Sequence, residues 1–350
     1  MDIELKELID RLNAEKCLPH EGWVRLFDGF TDEEREYSAS IARRIADEKY
    51  GKNIYIRGIV EFSNYCKNDC FYCGIRCSNK NAQRYRLTDE EILQCCDEGY
   101  ETGFRTFVLQ SGEDPKYSAE RMCNIVRAIK AAHPDCAVTL SLGELERGDL
   151  AELRAAGADR YLLRHETATK SHYEQLHPSF MSFEHRMKCL QDLKELGYQT
   201  GAGMMIGAPF ASSDTLAADM EFLGEFKPQM VGTGPFLPHK DTPFRVCPKG
   251  SYELTLFVLS LVRIMLPNVL LPATTALGTI RPNGREQGVL HGANVIMPNL
   301  SPTAVRKKYM LYDNKICTED STSECRFCLQ RRMESIGYNI EISRGDFCND

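Results

Sequence analysis

The sequence predicts an α/β fold, a closed (β/α)8 barrel of the TIM type. Three observations predict it: eight short β-rich runs recur along the chain, most of them separated by a helix-like stretch, and polar residues collect where the runs end. Eight such units over about 250 residues suit a closed barrel. An open, doubly wound sheet is the alternative arrangement of the same units.

Helix-like patterns at Asp2 to Leu12 and Asp32 to Lys49 make residues 1–53 an N-terminal helical extension, ahead of a barrel over 54–300. The first run, Ile54–Ser63, is apolar and strand-like. The helical stretch Asp89–Thr102 leads to Thr106–Gln110, and Ala119–Ala132 leads to Ala137–Leu142. Asp149–Ala156 precedes Arg160–Arg164, and Phe183–Leu196 precedes Thr200–Ile206. Asp214–Phe226 leads to Met230–Gly234, Tyr252–Met265 leads to Leu270–Thr275, and Ala293–Met297 is the eighth run. Residues 301–350 form a C-terminal segment.

Barrel active sites lie at the carboxyl ends of the strands. Those ends read Gln110-Ser-Gly-Glu-Asp114, Thr139 and Ser141 before Gly143-Glu144, and Arg164-His-Glu-Thr167. They continue with Gly203-Met-Met-Ile-Gly207, Thr233-Gly-Pro-Phe236, Thr274-Thr-Ala-Leu-Gly278 and Met297-Pro-Asn299. One such end marks no more than a loop; their repeated position carries the weight.

Composition narrows the function classes. The chain has 350 residues, 43% of them hydrophobic, enough for a sizeable core. A net charge of −7 leaves no basic footprint for nucleic acid. No apolar run approaches a membrane span, and the first fifty residues mix acids and bases unlike a signal or transit peptide. A cytoplasmic protein is expected. Fifteen cysteines without a secretion signal point to metal binding or reduced thiols, not disulfides. Cys95, Cys96, Cys123, Cys136 and Cys189 fall on helix-like stretches or strand edges and receive no role.

Cys66, Cys70 and Cys73 stand in Asn64-Tyr-Cys-Lys-Asn-Asp-Cys-Phe-Tyr-Cys-Gly74, directly after the first strand. A cubane 4Fe–4S cluster has four irons, so three thiolates leave one iron open to a small molecule. Structural zinc wants four ligands, and Cys77 is the candidate fourth for that alternative. The C-x3-C-x2-C spacing, with the aromatic Tyr72 before the third cysteine, resembles the signature of radical S-adenosylmethionine (SAM) enzymes. The resemblance implies that the amino and carboxylate groups of SAM occupy the open iron, and that one electron cleaves SAM to a 5′-deoxyadenosyl radical. A SAM site needs a carboxylate for the ammonium and an arginine for the carboxylate. Ser111-Gly-Glu113 resembles the Gly-Gly-Glu stretch that meets the methionyl amine in that superfamily. Glu166 is a second acid at a strand end, and Arg186 is either the carboxylate clamp or a surface partner of Glu184.

Longer strings narrow the resemblance. Glu61-Phe-Ser-Asn-Tyr-Cys, Arg84-Tyr-Arg, Leu109-Gln-Ser-Gly-Glu-Asp-Pro115, Asp159-Arg-Tyr-Leu-Leu-Arg-His-Glu-Thr-Ala168, Pro272-Ala-Thr-Thr-Ala276 and Gly292-Ala-Asn-Val-Ile-Met-Pro-Asn299 resemble the HydE-type maturases of FeFe-hydrogenases. Biotin synthase and methylornithine synthase are relatives of that family. The resemblance implies a 4Fe–4S cluster on Cys66, Cys70 and Cys73, and SAM held by Ser111, Glu113, Thr139, Ser141, Glu166 and Arg186. Gln110, Arg164, Thr274, Thr275, Met297, Tyr309 and Tyr312 would line the substrate end. Arg164 is otherwise an inner-barrel partner of Glu166, and Met297 otherwise core filler. Cys317, Cys325 and Cys328 match the place where some members carry an auxiliary iron–sulfur cluster, 2Fe–2S or 4Fe–4S, which Cys348 could approach.

The implied function is assembly of the di-iron subcluster of the hydrogenase H-cluster. The implied substrate is an organometallic iron complex of CO, cyanide and cysteine made by HydG, whose cysteine sulfur the radical attacks. HydF and an electron donor such as ferredoxin or flavodoxin are the other implied partners. Rival readings are another radical SAM reaction on an amino acid or small acid, and a non-catalytic iron–sulfur or zinc module.

Overall fold

The computed structural model describes residues 1–319 and 322–348. Its strands are β1 (Asn53–Ile56), β2 (Gly58–Ser63), β3 (Thr106–Ser111), β4 (Ala137–Ser141), β5 (Arg160–Leu162), β6 (Gln199–Ala202), β7 (Met205–Ile206), β8 (Met230–Val231), β9 (Gly234–Pro235), β10 (Val295–Ile296) and β11 (Asn339–Glu341). β2, β3, β4, β5, β6 and β8 form one parallel sheet in that order. Parallel bridges Met230–Leu270, Pro272–Val295 and Ile59–Asn299 carry the ladder on through the seventh and eighth runs and back to β2. The eight expected runs therefore close into a (β/α)8 barrel, and the open-sheet alternative falls away. The register aligns Glu61 with Gln110 and Gln110 with Ser141, one level of side chains near the carboxyl ends.

Several runs are shorter than expected. Ile54–Ser63 is interrupted at Arg57: β1 pairs with the eighth run, β10, in the same register as the Ile59–Asn299 bridge, and has β11 on its other side where β2 has β3. Thr200–Ile206 breaks at Gly203 (φ +154°), where a Cβ would lie 2.0 Å from the Gly232 carbonyl oxygen. Only glycine permits that approach. Beyond the break, β7 pairs with β9 as a short extension at the mouth. Leu270–Thr275 is held by single bridges, and Thr275 opens the helix Thr275–Ile280. Helices His20–Gly29, Lys170–Leu176, Gly284–Leu290 and Thr322–Glu334 lie outside the expected helix-like stretches.

The flanking segments are integral to the core. Tyr252–Met265 is buried on nearly every side chain, because helix Asp32–Tyr50 covers its outer face. That explains why its sequence lacks a polar stripe. A reciprocal Thr31–Glu34 capping box starts the covering helix. Trp23 and Leu26 join the same apolar core through His20–Gly29, which packs on Ser213–Phe226. The C-terminal segment spans the barrel from mouth to floor. Residues 307–316 cross the mouth, where Leu311 O accepts from Gly74 N (2.9 Å) and Pro238 O from Asp313 N (3.1 Å). Its tail seals the floor: Arg344 O accepts from Thr106 Oγ1 and Arg160 Nη2, both at 2.8 Å, and Asp346 pairs with Arg160 at 2.6 Å. Among the described residues no helix is long and apolar enough to cross a membrane.

Candidate active site

The loop after β2 carries the three cysteines and is stitched from within. Asp69 takes both arms of Arg76 (2.7 and 2.5 Å) and the Ser78 amide (3.0 Å). The guanidinium holds the Asp69 carboxyl well below the usual carboxylate range. Arg84 donates to the carbonyls of Ile75 (2.8 Å), Arg76 (2.6 Å), Asn79 (3.2 Å) and Asn64, gathering both ends of the loop. Asn64 Nδ2 donates to Lys308 O (2.7 Å), which fastens the loop to the C-terminal segment. So held, Cys66, Cys70, Tyr72 and Cys73 form one wall of a cavity of about 360 Å³ at the barrel mouth. Cys77 is exposed and does not line it. Burial pushes the thiols up, Cys73 to about 12 and Cys70 well above its ordinary value, so iron must displace their protons on binding.

The cavity gathers most of the remaining expected residues. Ser111, Glu113, Ser141, Glu166 and Arg186 face it beside the thiols. Arg186 Nε stands 2.6 Å from Glu144 Oε1 and Nη1 donates to Arg164 O (3.0 Å). Glu184 pairs with Lys170 instead, so the surface pairing considered for Arg186 does not form. Glu113 sits at the rim, 3.2 Å from Lys67 Nζ and accepting from the Glu144 amide (3.0 Å). Glu166 is held at φ +66°, rare for a residue with a side chain. Thr139 lies on β4 two residues before Ser141, buried and outside the cavity lining.

Gln110, Arg164, Thr274, Thr275, Met297, Tyr309 and Tyr312 line the far side of the same cavity. Gln110 Nε2 donates to the Tyr309 hydroxyl (3.3 Å), and burial pushes the Tyr312 hydroxyl up to about 12. Arg164 Nη2 is 3.1 Å from Glu166 Oε2 but off the hydrogen-bond line; Arg164 Nε and Thr274 Oγ1 have no protein partner. Both residues line the cavity, so a ligand with acceptor groups could satisfy these atoms. Arg57 and Arg160 are further buried arginines, at the barrel floor. Among the described residues no three Cys, His, Asp or Glu side chains converge on a single-ion site. The donors fit a thiolate-held cluster with SAM beside it: three thiols, a guanidinium and carboxylates on one wall.

The chain matches the family model for the radical SAM superfamily over residues 60–223. It is 49% identical over 298 residues to the FeFe-hydrogenase maturase subunit HydE of Thermotoga maritima, across 84% of this chain and 85% of that one. The chain belongs to the HydE-type maturases of the radical SAM superfamily. The crystal structure of methylornithine synthase (PylB) superimposes at a TM-score of 0.84 with 27% identity, covering 95% of this chain and 97% of that one. HydG from Carboxydothermus hydrogenoformans shares the fold at a TM-score of 0.78 and 20% identity, covering 99% and 80%.

In this HydE-type chain the second cysteine set is close to the first site. Cys325 and Cys328 sit three apart on helix Thr322–Glu334, and the Cys325 thiol is pushed up by a hydrogen bond with Cys317 and by burial. Arg285 reaches both Cys317 Sγ (3.5 Å) and Thr275 Oγ1 (3.4 Å), so one guanidinium separates this set from the cavity. Arg306 and Arg332 add positive charge around the thiols. Cys348 lies by Tyr50 and Tyr55 at the barrel floor, away from this set, so its suggested approach does not occur.

Sequence reasoning missed two networks. Glu61, on β2, forms a buried ion pair with Lys315 and accepts from Asn299 Nδ2 (2.8 Å). A carboxylate inside an apolar strand was the available signal. His177 Nδ1 donates to Tyr173 O (2.9 Å), leaving Nε2 to accept from the Tyr72 hydroxyl (3.1 Å). Burial depresses this imidazole to about 3, so it is neutral. No local pattern in the sequence joins residues so far apart.

Proposed function

We propose that this chain acts in assembling the di-iron subcluster of FeFe-hydrogenase. Its substrate is an anionic iron complex of CO, cyanide and cysteine received from HydG, and the product passes toward HydF. Cys66, Cys70 and Cys73 hold a 4Fe–4S cluster, which when bound supplies the electron that splits SAM into methionine and a 5′-deoxyadenosyl radical. Ser111, Ser141, Glu166 and Arg186 hold SAM across the open iron, with Glu113 at the rim and Thr139 supporting from below. Gln110, Thr274, Thr275, Met297, Tyr309 and Tyr312 orient the complex so that its cysteine sulfur faces the radical. Cys317, Cys325 and Cys328 carry an auxiliary iron–sulfur cluster. The work takes place in the cytoplasm under anaerobic conditions, with ferredoxin or flavodoxin as reductant.

One observation carries the reading: a single cavity joins the thiol wall to Arg164 and Thr274, whose unpartnered donors suit an anionic, acceptor-rich ligand. Enclosure by the C-terminal segment keeps water from a carbon radical. Leaving such an anion unpaired in a low-dielectric cavity costs roughly several kcal/mol. Arg164→Met should therefore abolish most hydrogenase activation in an in vitro maturation mix while leaving first-cluster absorbance unchanged. Normal activation by the variant would reduce Arg164 to a partner of Glu166. The likeness to methylornithine synthase supports a second reading, radical rearrangement of an amino acid. Formation of methylornithine by the wild-type chain, with no effect on maturation, would favour it.

A further inference from the structure

The chain just past β5 does not continue the ladder that precedes it. Leu162 pairs with Gly201, yet the next bridge joins Glu166 to Met204. Four steps along one strand thus face three along the other, a β-bulge of one extra residue. Glu166, at φ +66°, takes up the bulge, and its amide donates to Gly203 O (3.0 Å). A left-handed backbone at a residue with a side chain is strained, and it persists only where neighbouring contacts over-determine it.

A side chain supplies the decisive contact. In a regular parallel ladder the Gly203 amide would donate to a carbonyl of the neighbouring strand. Here it donates to His165 Nδ1 (3.1 Å), so His165 and Glu166 between them grip both polar groups of Gly203. With Nδ1 accepting, the ring proton sits on Nε2. That nitrogen faces Asp219 Oδ1 at 3.3 Å, a contact off the hydrogen-bond line. Asp219, on helix Ser213–Phe226, also accepts from the Ala168 amide (2.5 Å), just past the bulge. Phe222 of the same helix packs on the imidazole, ring centroids 4.7 Å apart. His165 is fully buried and does not line the cavity, whereas Arg164 and Glu166 on either side of it do. An apolar side chain would serve packing alone better, because burying an imidazole is costly unless its nitrogens meet partners.

We propose that His165 is a positioning residue for SAM: by accepting from the Gly203 amide it fixes the bulge that aims the Glu166 carboxylate into the cavity. The proposal rests on the reading above that Glu166 holds SAM. His165 touches no reactant and acts through Glu166. Bulges next to active sites re-aim a side chain in this way. The bulged segment supplies its own acceptor, and Asp219 sets the tilt of the ring.

The test uses the reconstituted holoenzyme under anaerobic conditions, with SAM as the probe. Asparagine can put a carbonyl oxygen where Nδ1 stands, so His165→Asn keeps the acceptor for Gly203. Glutamine reaches the Nε2 position and leaves that amide without its acceptor. His165→Gln should raise the Kd for SAM about tenfold or more by calorimetry, and His165→Asn less than about threefold. In 5′-deoxyadenosine formation under dithionite, the glutamine variant should show a raised KM for SAM with kcat near wild type. Hydrogen exchange at the Gly203 amide should quicken in the glutamine variant and not in the asparagine variant. His165→Gln added to Glu166→Gln should cost little affinity beyond Glu166→Gln alone, because the histidine works through that carboxylate. Equal losses in the asparagine and glutamine variants, or full additivity with Glu166→Gln, make His165 a core residue and overturn the proposal. Should His165→Gln misfold, judged by near-ultraviolet circular dichroism, Asp219→Asn decides: its Kd should rise about threefold, and an unchanged Kd overturns the proposal. If Glu166→Gln binds SAM as the wild type does, the reading of Glu166 fails and the proposal with it. A loss in Glu166→Gln with none in His165→Gln overturns the proposal alone.

Discussion

Replacing Lys315 by methionine should unfasten the segment that closes the barrel mouth. Glu61 and Lys315 are 4% and 10% exposed, so little solvent screening reaches the pair. Removing the ammonium leaves a buried carboxylate with Asn299 as its remaining side-chain partner. Breaking a buried pair in this way costs about 3–5 kcal/mol. Opening the strap relieves that cost by admitting water, so its opening equilibrium should shift by about 100-fold or more. Two amides report it directly: Gly74 N–H on Leu311 O and Asp313 N–H on Pro238 O. Their hydrogen exchange, followed by mass spectrometry, should accelerate by about that factor. Glu61→Gln added to Lys315→Met removes the stranded charge, keeps an acceptor for Asn299 and should restore most of the protection. Tyr309 and Tyr312 ride on the same strap, so substrate-dependent maturation should fall in the single variant and recover in part in the double. Unchanged exchange in Lys315→Met, or no rescue by Glu61→Gln, would refute the reasoning.

Three further outcomes are expected. Cys73→Ala should abolish 5′-deoxyadenosine formation under dithionite, whereas Cys77→Ala, altering an exposed thiol outside the cavity, should leave it intact. Cys325→Ala with Cys328→Ala should lower bound iron, measured by ferrozine, and leave most SAM cleavage; a folded double variant without cleavage would make that set catalytic. His177 is neutral in the folded chain at about 3 against an unfolded value near 6.5, so its contribution is complete above pH 6.5 and is lost as pH falls toward 3. At pH 5 the loss is about 2 kcal/mol; urea midpoints at pH 7 and pH 5 should therefore converge in His177→Gln, and an undiminished acid loss there would remove His177 from the account.

The sequence by itself determined the eight βα units and the thiolate motif, and of the mouth residues it named through its family resemblance all but Thr139 line the cavity. Strand ends that gather Gln110, Ser111, Ser141, Arg164, Thr274 and Met297 point one way because parallel strands in a barrel end on one face. It could not determine what depends on segments distant in the chain. That β1 would take β11, nearly three hundred residues later, as its second neighbour, where β2 takes β3, depended on the packed tail. Arg186 chose Glu144 over Glu184 because the fold buried it, and a buried guanidinium keeps its charge only against a buried carboxylate. Lys315 reads as an ordinary surface lysine until the strap lays it against Glu61. The second cysteine set reads as remote until Arg285 bridges it to Thr275. Periodicity and motif spacing are local quantities; the partner of a buried charge is settled only when long-range packing has excluded water from around it.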